Sequence, residues 1–135
     1  MRTLLILCLC TWLLWACYPK GFRSNSSAGL PQEATIQRIV CFKFKPGTTP
    51  LAIQQHMQGF ASLKDSIPYI LSYQAGATVL ADLSQPPEYD VMHYCTYRNE
   101  EEIKRYSIHP VHQRFITQNK KIWEKVLVIN SRLRP

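Results

Sequence analysis

The sequence predicts an α+β domain built on one antiparallel sheet with its helices on one face. Two observations predict it. After residue 35, four runs dense in β-branched and aromatic residues alternate with segments whose apolar residues recur at helical spacing. The resulting order, β-α-β-β-α-α-β, is the layout of a single sheet with a helical layer.

Each element has its own signal. Ile36 to Phe44 is the first strand, with Ile39, Val40, Cys41 and Phe42 apolar in succession, as expected of a strand covered on both faces. Lys45-Pro46-Gly47 ends it. Thr48, Thr49 and Pro50 open a helix, with proline in the first turn, and Ile53, Met57, Phe60 and Lys64 follow at helical spacing, carrying it to about Asp65. Ile67-Pro68 breaks the helix. Ile70 to Leu80 reads as the second strand, with Gly76 at the position of a bulge. Ala81 to Glu88, holding Pro86-Pro87, is a loop. In the third strand, Tyr89 to Tyr97, residues Val91, His93, Cys95 and Tyr97 share one face and Asp90, Met92, Tyr94 and Thr96 the other. Asn99 caps a short helix whose first turn, Glu100-Glu101-Glu102, complements the helix dipole; it runs to about Ser107. Ile108-His109-Pro110 restarts the chain into a helix marked by Val111, Phe115, Gln118 and Ile122 and reaching Trp123. Val126 to Ile129 is the last strand.

The 135 residues hold one domain, and a 46% hydrophobic and 19% charged composition is that of a folded chain. Lys+Arg exceeds Asp+Glu by 16 − 9 = 7. The basic residues are scattered rather than gathered into a stripe with interleaved aromatics, which argues against nucleic acid as a partner; anionic lipid is the simpler use of the charge. Residues 1–16 read as an export signal: Arg2 supplies the positive start, and Leu4 to Ala16 is an apolar run of 13 residues, short of the roughly 20 that span a bilayer. Leu14-Trp15-Ala16-Cys17 resembles the bacterial lipobox, which implies lipidation of Cys17 and a place in the bacterial cell envelope, anchored to membrane lipid and facing the periplasm or exterior. An ordinary cleaved signal or an uncleaved apolar anchor is the alternative. Residues 17–35, rich in Pro, Gly, Ser and Asn, read as a flexible tether. The two cysteines of the domain, Cys41 and Cys95, lie in apolar strands and read as small buried hydrophobes rather than as a disulfide framework.

Three local signatures make residues 36–133 resemble the stress-responsive dimeric A/B barrel family. They are the opening strand Arg38 to Lys45 with its Lys45-Pro46-Gly47 turn, Tyr89-Asp90 at the third strand, and Tyr106-Ser107-Ile108-His109-Pro110-Val111-His112-Gln113-Arg114-Phe115, which matches the family's tyrosine and His-Pro-x-His-Gln segment. The resemblance implies a ferredoxin-like fold whose sheet packs against that of a second copy, a homodimeric α/β barrel. Isologous pairing is also what a sheet with helices on only one side needs.

The family includes plant polyketide cyclases of the olivetolic acid type, in which a histidine of this segment and a nearby tyrosine act as base and acid. The resemblance places those roles on His112 and Tyr106. The supporting cyclase positions are occupied here by Arg38, Phe60 and Val91 in place of a histidine, a tyrosine and a histidine, so any chemistry differs from the cyclase's. His93, two residues on from Val91, offers a replacement imidazole, and His109 lies beside the pair. The ligand-binding candidates are thus His109, His93, Arg38, Phe60 and Val91. His112, about three positions into its helix, feels the positive end of the dipole and is expected neutral. His56, on the first helix, is expected to be exposed or at the helix edge rather than functional. The spacing of the histidines fits no compact metal-ligand set, and no phosphate loop, Ser-x-x-Lys motif or paired catalytic carboxylate occurs, so neither metal nor cofactor is expected. The sequence therefore points to an envelope domain binding a small apolar or aromatic ligand. The alternative is a cofactor-free cyclase, lyase or monooxygenase-like enzyme acting on an aromatic or polyketide-like substrate through His112 and Tyr106.

Overall fold

The most apolar strand takes the middle of the sheet. The computed structural model describes residues 33–79 and 85–134. In it β1 (Ile36–Phe44) lies between β3 (Val91–Tyr97) and β4 (Trp123–Arg132), with β2 (Ser72–Ala77) outside β3. Every neighbouring pair is antiparallel, so the order is β2-β3-β1-β4. The helices are α1 (Pro50–Ala61), α2 (Leu63–Ser66), α3 (Glu100–Ile108) and α4 (Pro110–Asn119). Their starts are chemically specified. The Thr49 hydroxyl accepts from the Ala52 N–H at 3.2 Å and Asn99 Oδ1 from the Glu102 N–H at 3.0 Å, so each satisfies a donor that the first helical turn leaves free. Ile36, Val40, Phe42 and Phe44 of β1 and Val91, Cys95 and Tyr97 of β3 are buried together with Phe60, Leu63, Tyr106 and Phe115 from the helices. This is the period-two pattern of a sheet with one covered face.

Several boundaries differ from the sequence reading. The first helix breaks at Ser62, where the Ser62 hydroxyl donates to the Gly59 carbonyl at 2.8 Å and a separate turn, α2, follows. The last helix stops at Asn119 instead of Trp123. A 3-10 turn, Lys120–Ile122, intervenes, and Trp123 begins β4 opposite Phe44, its indole against the core. The second strand is shorter than Ile70 to Leu80: Ile70 is buried ahead of it as a core anchor, and Leu80 lies outside the described residues. Gly76 pairs regularly with Met92, and the irregularity falls between Lys43 and Phe44 opposite β4.

The second face of the sheet is covered less than the first strand's sequence suggests. Ile39 and Cys41 are only half-buried, and Val126, Leu127, Val128 and Ile129 are each 37–46% exposed. Pairing puts Ile39, Met92, Leu127 and Ile129 on that open face. Cys41 lies on it too, opposite Met92, while Cys95 pairs with Arg38 on the helical face; both thiols are free. The export signal, Cys17 and the tether up to residue 32 lie outside the described residues. At the tether's end the Thr35 N–H bonds the Tyr97 carbonyl at 3.0 Å. Among the described residues no helix is long and apolar enough to cross a membrane.

Candidate functional site

The α3–α4 junction folds the most distinctive segment of the sequence back onto the sheet. Pro110 occupies the first helical position of α4, where its missing N–H costs nothing, and His109 Nδ1 accepts from the Val111 N–H at 3.3 Å. His109 is therefore a helix cap. One turn earlier, Tyr106 leaves α3 toward the sheet and is 1% exposed. Its ring lies 4.2 Å, centroid to centroid, from that of His112 and 5.5 Å from that of Tyr97 on β3. The Arg38 guanidinium of β1 sits 5.7 Å from the Tyr106 ring centre. Arg38, Tyr97, Tyr106 and His112 thus converge from four elements.

The protonation states follow from this geometry. His112 Nδ1 lies 3.1 Å from the Ser107 carbonyl, which can only accept, so Nδ1 carries the proton and Nε2 keeps its lone pair. Burial lowers the His112 pKa, partly offset by the Ser107 hydrogen bond, with the nearby Arg38 charge a smaller lowering cause. Burial thus acts in the same direction as the helix start, both favouring the neutral ring. Burial likewise raises the Tyr97 and Tyr106 phenols, which remain protonated. Two polar atoms here are buried without a hydrogen-bond partner, Tyr97 Oη and Arg38 Nε. Arg38 donates from a terminal nitrogen to Asn130 Oδ1 at 3.2 Å, and among the described residues no carboxylate pairs with it. Leaving such groups unsatisfied costs about 1–3 kcal/mol each.

The other sequence-predicted residues lie at the opposite end of the helical face. His93 is fully buried, stacks on Phe60 with centroids 4.0 Å apart, and shares a 3.0 Å hydrogen bond between its Nδ1 and the Tyr73 hydroxyl. Val91, 6% exposed and opposite Phe42, is core packing. His93, Phe60 and Val91 therefore do not join the His112 cluster. His93 instead meets His56, whose ring centroid is 5.3 Å away. His56 is not at an exposed edge but 0% exposed, between Phe42, Phe44, Phe115 and Trp123. Its position, three residues after Ile53 and four before Phe60, puts it on the apolar stripe of α1, and that spacing is the signal that would have found it. No group of three or more potential metal ligands occurs among the described residues. An open groove of about 440 Å³ lies on the outer side of α4, lined by Pro110, Gln113, Arg114, Thr117 and Gln118, and not at either cluster.

Comparison with known proteins agrees with this architecture. The family model described as the stress responsive A/B barrel domain matches residues 36–132. A stress-response A/B barrel domain-containing protein of Arabidopsis thaliana, HS1, is 28% identical over 99 residues, 73% of this chain and 89% of that protein. Among solved structures, a dimeric ferredoxin-like protein of unknown function from Thermobifida fusca superposes with a TM-score of 0.64 at 20% identity, covering 76% of this chain and 93% of that one. The hydroxynitrile lyase of Passiflora edulis superposes with a TM-score of 0.68 at 14% identity, covering 76% and 95%. At these identities the structural likeness is one of fold, and the fold is ferredoxin-like α+β.

Proposed function

We propose a ligand-binding role for this chain, which belongs to the stress-responsive A/B barrel family: it takes up a small aromatic acid at the Arg38, Tyr97, Tyr106 and His112 cluster. The observation that carries this reading is the unmet demand of the cluster. Among the described residues a half-buried guanidinium without a carboxylate partner stands beside a buried phenol hydroxyl, Tyr97 Oη, whose polar neighbours, the Tyr106 hydroxyl and the Cys95 thiol, leave it without a hydrogen bond of good geometry. The acid group of a small aromatic molecule supplies both needs, accepting from Arg38 and Tyr97. The test is a thermal-shift series of the full chain with benzoate and salicylate, wild type against His112→Ala. A rise in Tm in the wild type that shrinks in the variant supports the site. A rise that survives unchanged removes His112 from it.

The protein acts as a homodimer in this reading. The exposed apolar residues of the open face and of β4 are what a second copy covers, and dimeric relatives of the same fold support it. Light scattering of the chain in mild detergent is expected to give twice the protomer mass, and Leu127→Lys, which sets a charge on that face, to give the protomer mass. A wild type that is a strict monomer at micromolar concentration overturns the dimer. Lipidation at Cys17 and attachment to a bacterial envelope membrane complete the proposal, on the strength of the lipobox-like Leu14 to Cys17. Mass spectrometry of the mature protein is expected to find an acylated N-terminal Cys17; an intact Met1 contradicts it.

A second reading, lyase or cyclase chemistry, is favoured by one observation. With Nδ1–H held by Ser107, the neutral His112 presents Nε2 as a proton acceptor, and Tyr106 lies against it as a protonated phenol. The fold is shared with a hydroxynitrile lyase, which supports the scaffold's capacity and nothing finer. Turnover of a bound aromatic substrate that disappears in both His112→Ala and Tyr106→Phe separates this reading from simple binding.

A further inference from the structure

We propose that His56 and His93 form an acid-sensing latch, which holds the α1 and α4 layer on the sheet at neutral pH and releases it on acidification. The two rings are fully buried, 5.3 Å apart, at the point where α1, β1, β3, α4 and β4 meet. His56 is held in its neutral form by a specific partner, and both rings by their burial among aromatic side chains. The Trp123 indole N–H, which can only donate, points at His56 Nδ1 at 3.3 Å, so the ring's proton sits on Nε2. Protonating His56 places a second N–H on Nδ1, facing the indole N–H donor to donor. His93 Nδ1 shares a hydrogen bond with the Tyr73 hydroxyl at 3.0 Å, and among the described residues neither Nε2 meets a hydrogen-bond partner at good geometry, the Asn119 amide being the nearest to His56. A charge on either ring is therefore sealed from water, with only neutral groups, the Tyr73 hydroxyl and the Asn119 amide, to receive it.

Among the described residues no neighbouring element offers a carboxylate to compensate. β1 presents Phe42 and Phe44, β4 presents Trp123, α1 itself presents Phe60, and α4 presents Phe115 and Asn119. Only the Asn119 amide, beside His56, favours a charged ring. The titratable groups facing the pair are the two histidines themselves and Tyr73 on β2, whose phenol burial pushes up to about 12. Further along β3, Cys95 is a buried thiol pushed up to about 12. Burial lowers His56 to about 4; burial and then repulsion from His56 lower His93 to about 3.

The direction of the effect follows from linkage. An opened chain binds protons on both rings below about pH 6.5, whereas the closed one refuses them until near pH 4, so protons favour opening throughout that window. The stabilisation is complete above 6.5 and is lost as the pH falls. Each imidazole makes the opening constant rise up to about tenfold per pH unit, and the pair up to about a hundredfold. The histidines fill a place in the core that a phenylalanine or valine would fill without this sensitivity. Phe115 joins the latch to the other cluster, because it contacts His56 from the same helix that carries His112.

The test is urea unfolding of the full chain, followed by circular dichroism between pH 7.5 and 5, where carboxylates stay ionised. Wild type is expected to lose stability steeply below pH 6.5, and His56→Phe and His93→Phe each to reduce the slope by up to about tenfold in the opening constant per pH unit. Unchanged slopes in both variants overturn the latch. Should either variant not fold, assigned imidazole proton NMR of the wild type decides: His56 and His93 rings that both stay neutral down to pH 5 support the latch, and either of them titrating between pH 6 and 7 overturns it.

Discussion

The two ends of the helical face of the sheet place the same residue types under opposite conditions. At one end, His56 and His93 are enclosed by Phe42, Phe44, Phe60, Phe115 and Trp123, with no ion-paired side chain of the described residues beside them. At the other, His112 and Tyr106 lie beside the Arg38 guanidinium, half-buried and without a carboxylate partner. Chemistry belongs where a charge is retained near the surface and left partly unsatisfied; packing belongs where polar atoms are sealed by rings. A histidine is thus identified by its neighbours and not by its presence.

Substitutions sharpen this contrast. Phe60→Ala removes the ring that stacks on His93 and packs against Phe115, and is expected to cost about 3–5 kcal/mol in urea unfolding, the largest effect of the set. A loss below about 1 kcal/mol would mean that this end is loosely packed. His109→Ala removes the α4 cap and is expected to cost about 1 kcal/mol while a bound aromatic acid still raises the Tm. Loss of that rise without loss of stability would instead move His109 into the site. Tyr97→Phe deletes a hydroxyl that has no partner, so stability is expected to stay within about 0.5 kcal/mol or to increase, while the ligand-induced rise in Tm falls. A marked destabilisation would show that the hydroxyl is bonded in solution.

Much of the fold was legible in the sequence because each device is local. Thr49-Pro50, Asn99 with three glutamates, and His109-Pro110 announce helix starts through backbone donors they satisfy or omit. The alternation of Val91, His93, Cys95 and Tyr97 gave the covered face of β3, and the segment from Tyr106 to Phe115 gave the junction that positions His112. What was not legible depends on tertiary packing. Trp123 looks helical by spacing but is taken by the sheet, because its indole completes the cluster around His56. The only link from His93 to the His112 pocket in the sequence is the strand face it shares with Val91. Yet the face is long enough to hold two clusters, and the four-residue step from Tyr97 back to His93, about 13 Å along a strand, separates them. His56 reads as exposed or at the helix edge, yet it sits in the apolar period of α1 and is buried.

The measurement that bears most directly on the distinction between the two ends is isothermal titration of the full chain with salicylate at pH 7, wild type against Arg38→Gln. The account predicts that wild type binds and that the variant binds at least about tenfold more weakly, the ordinary loss when a charge-assisted hydrogen bond is removed. Equal affinity of the two proteins would contradict it.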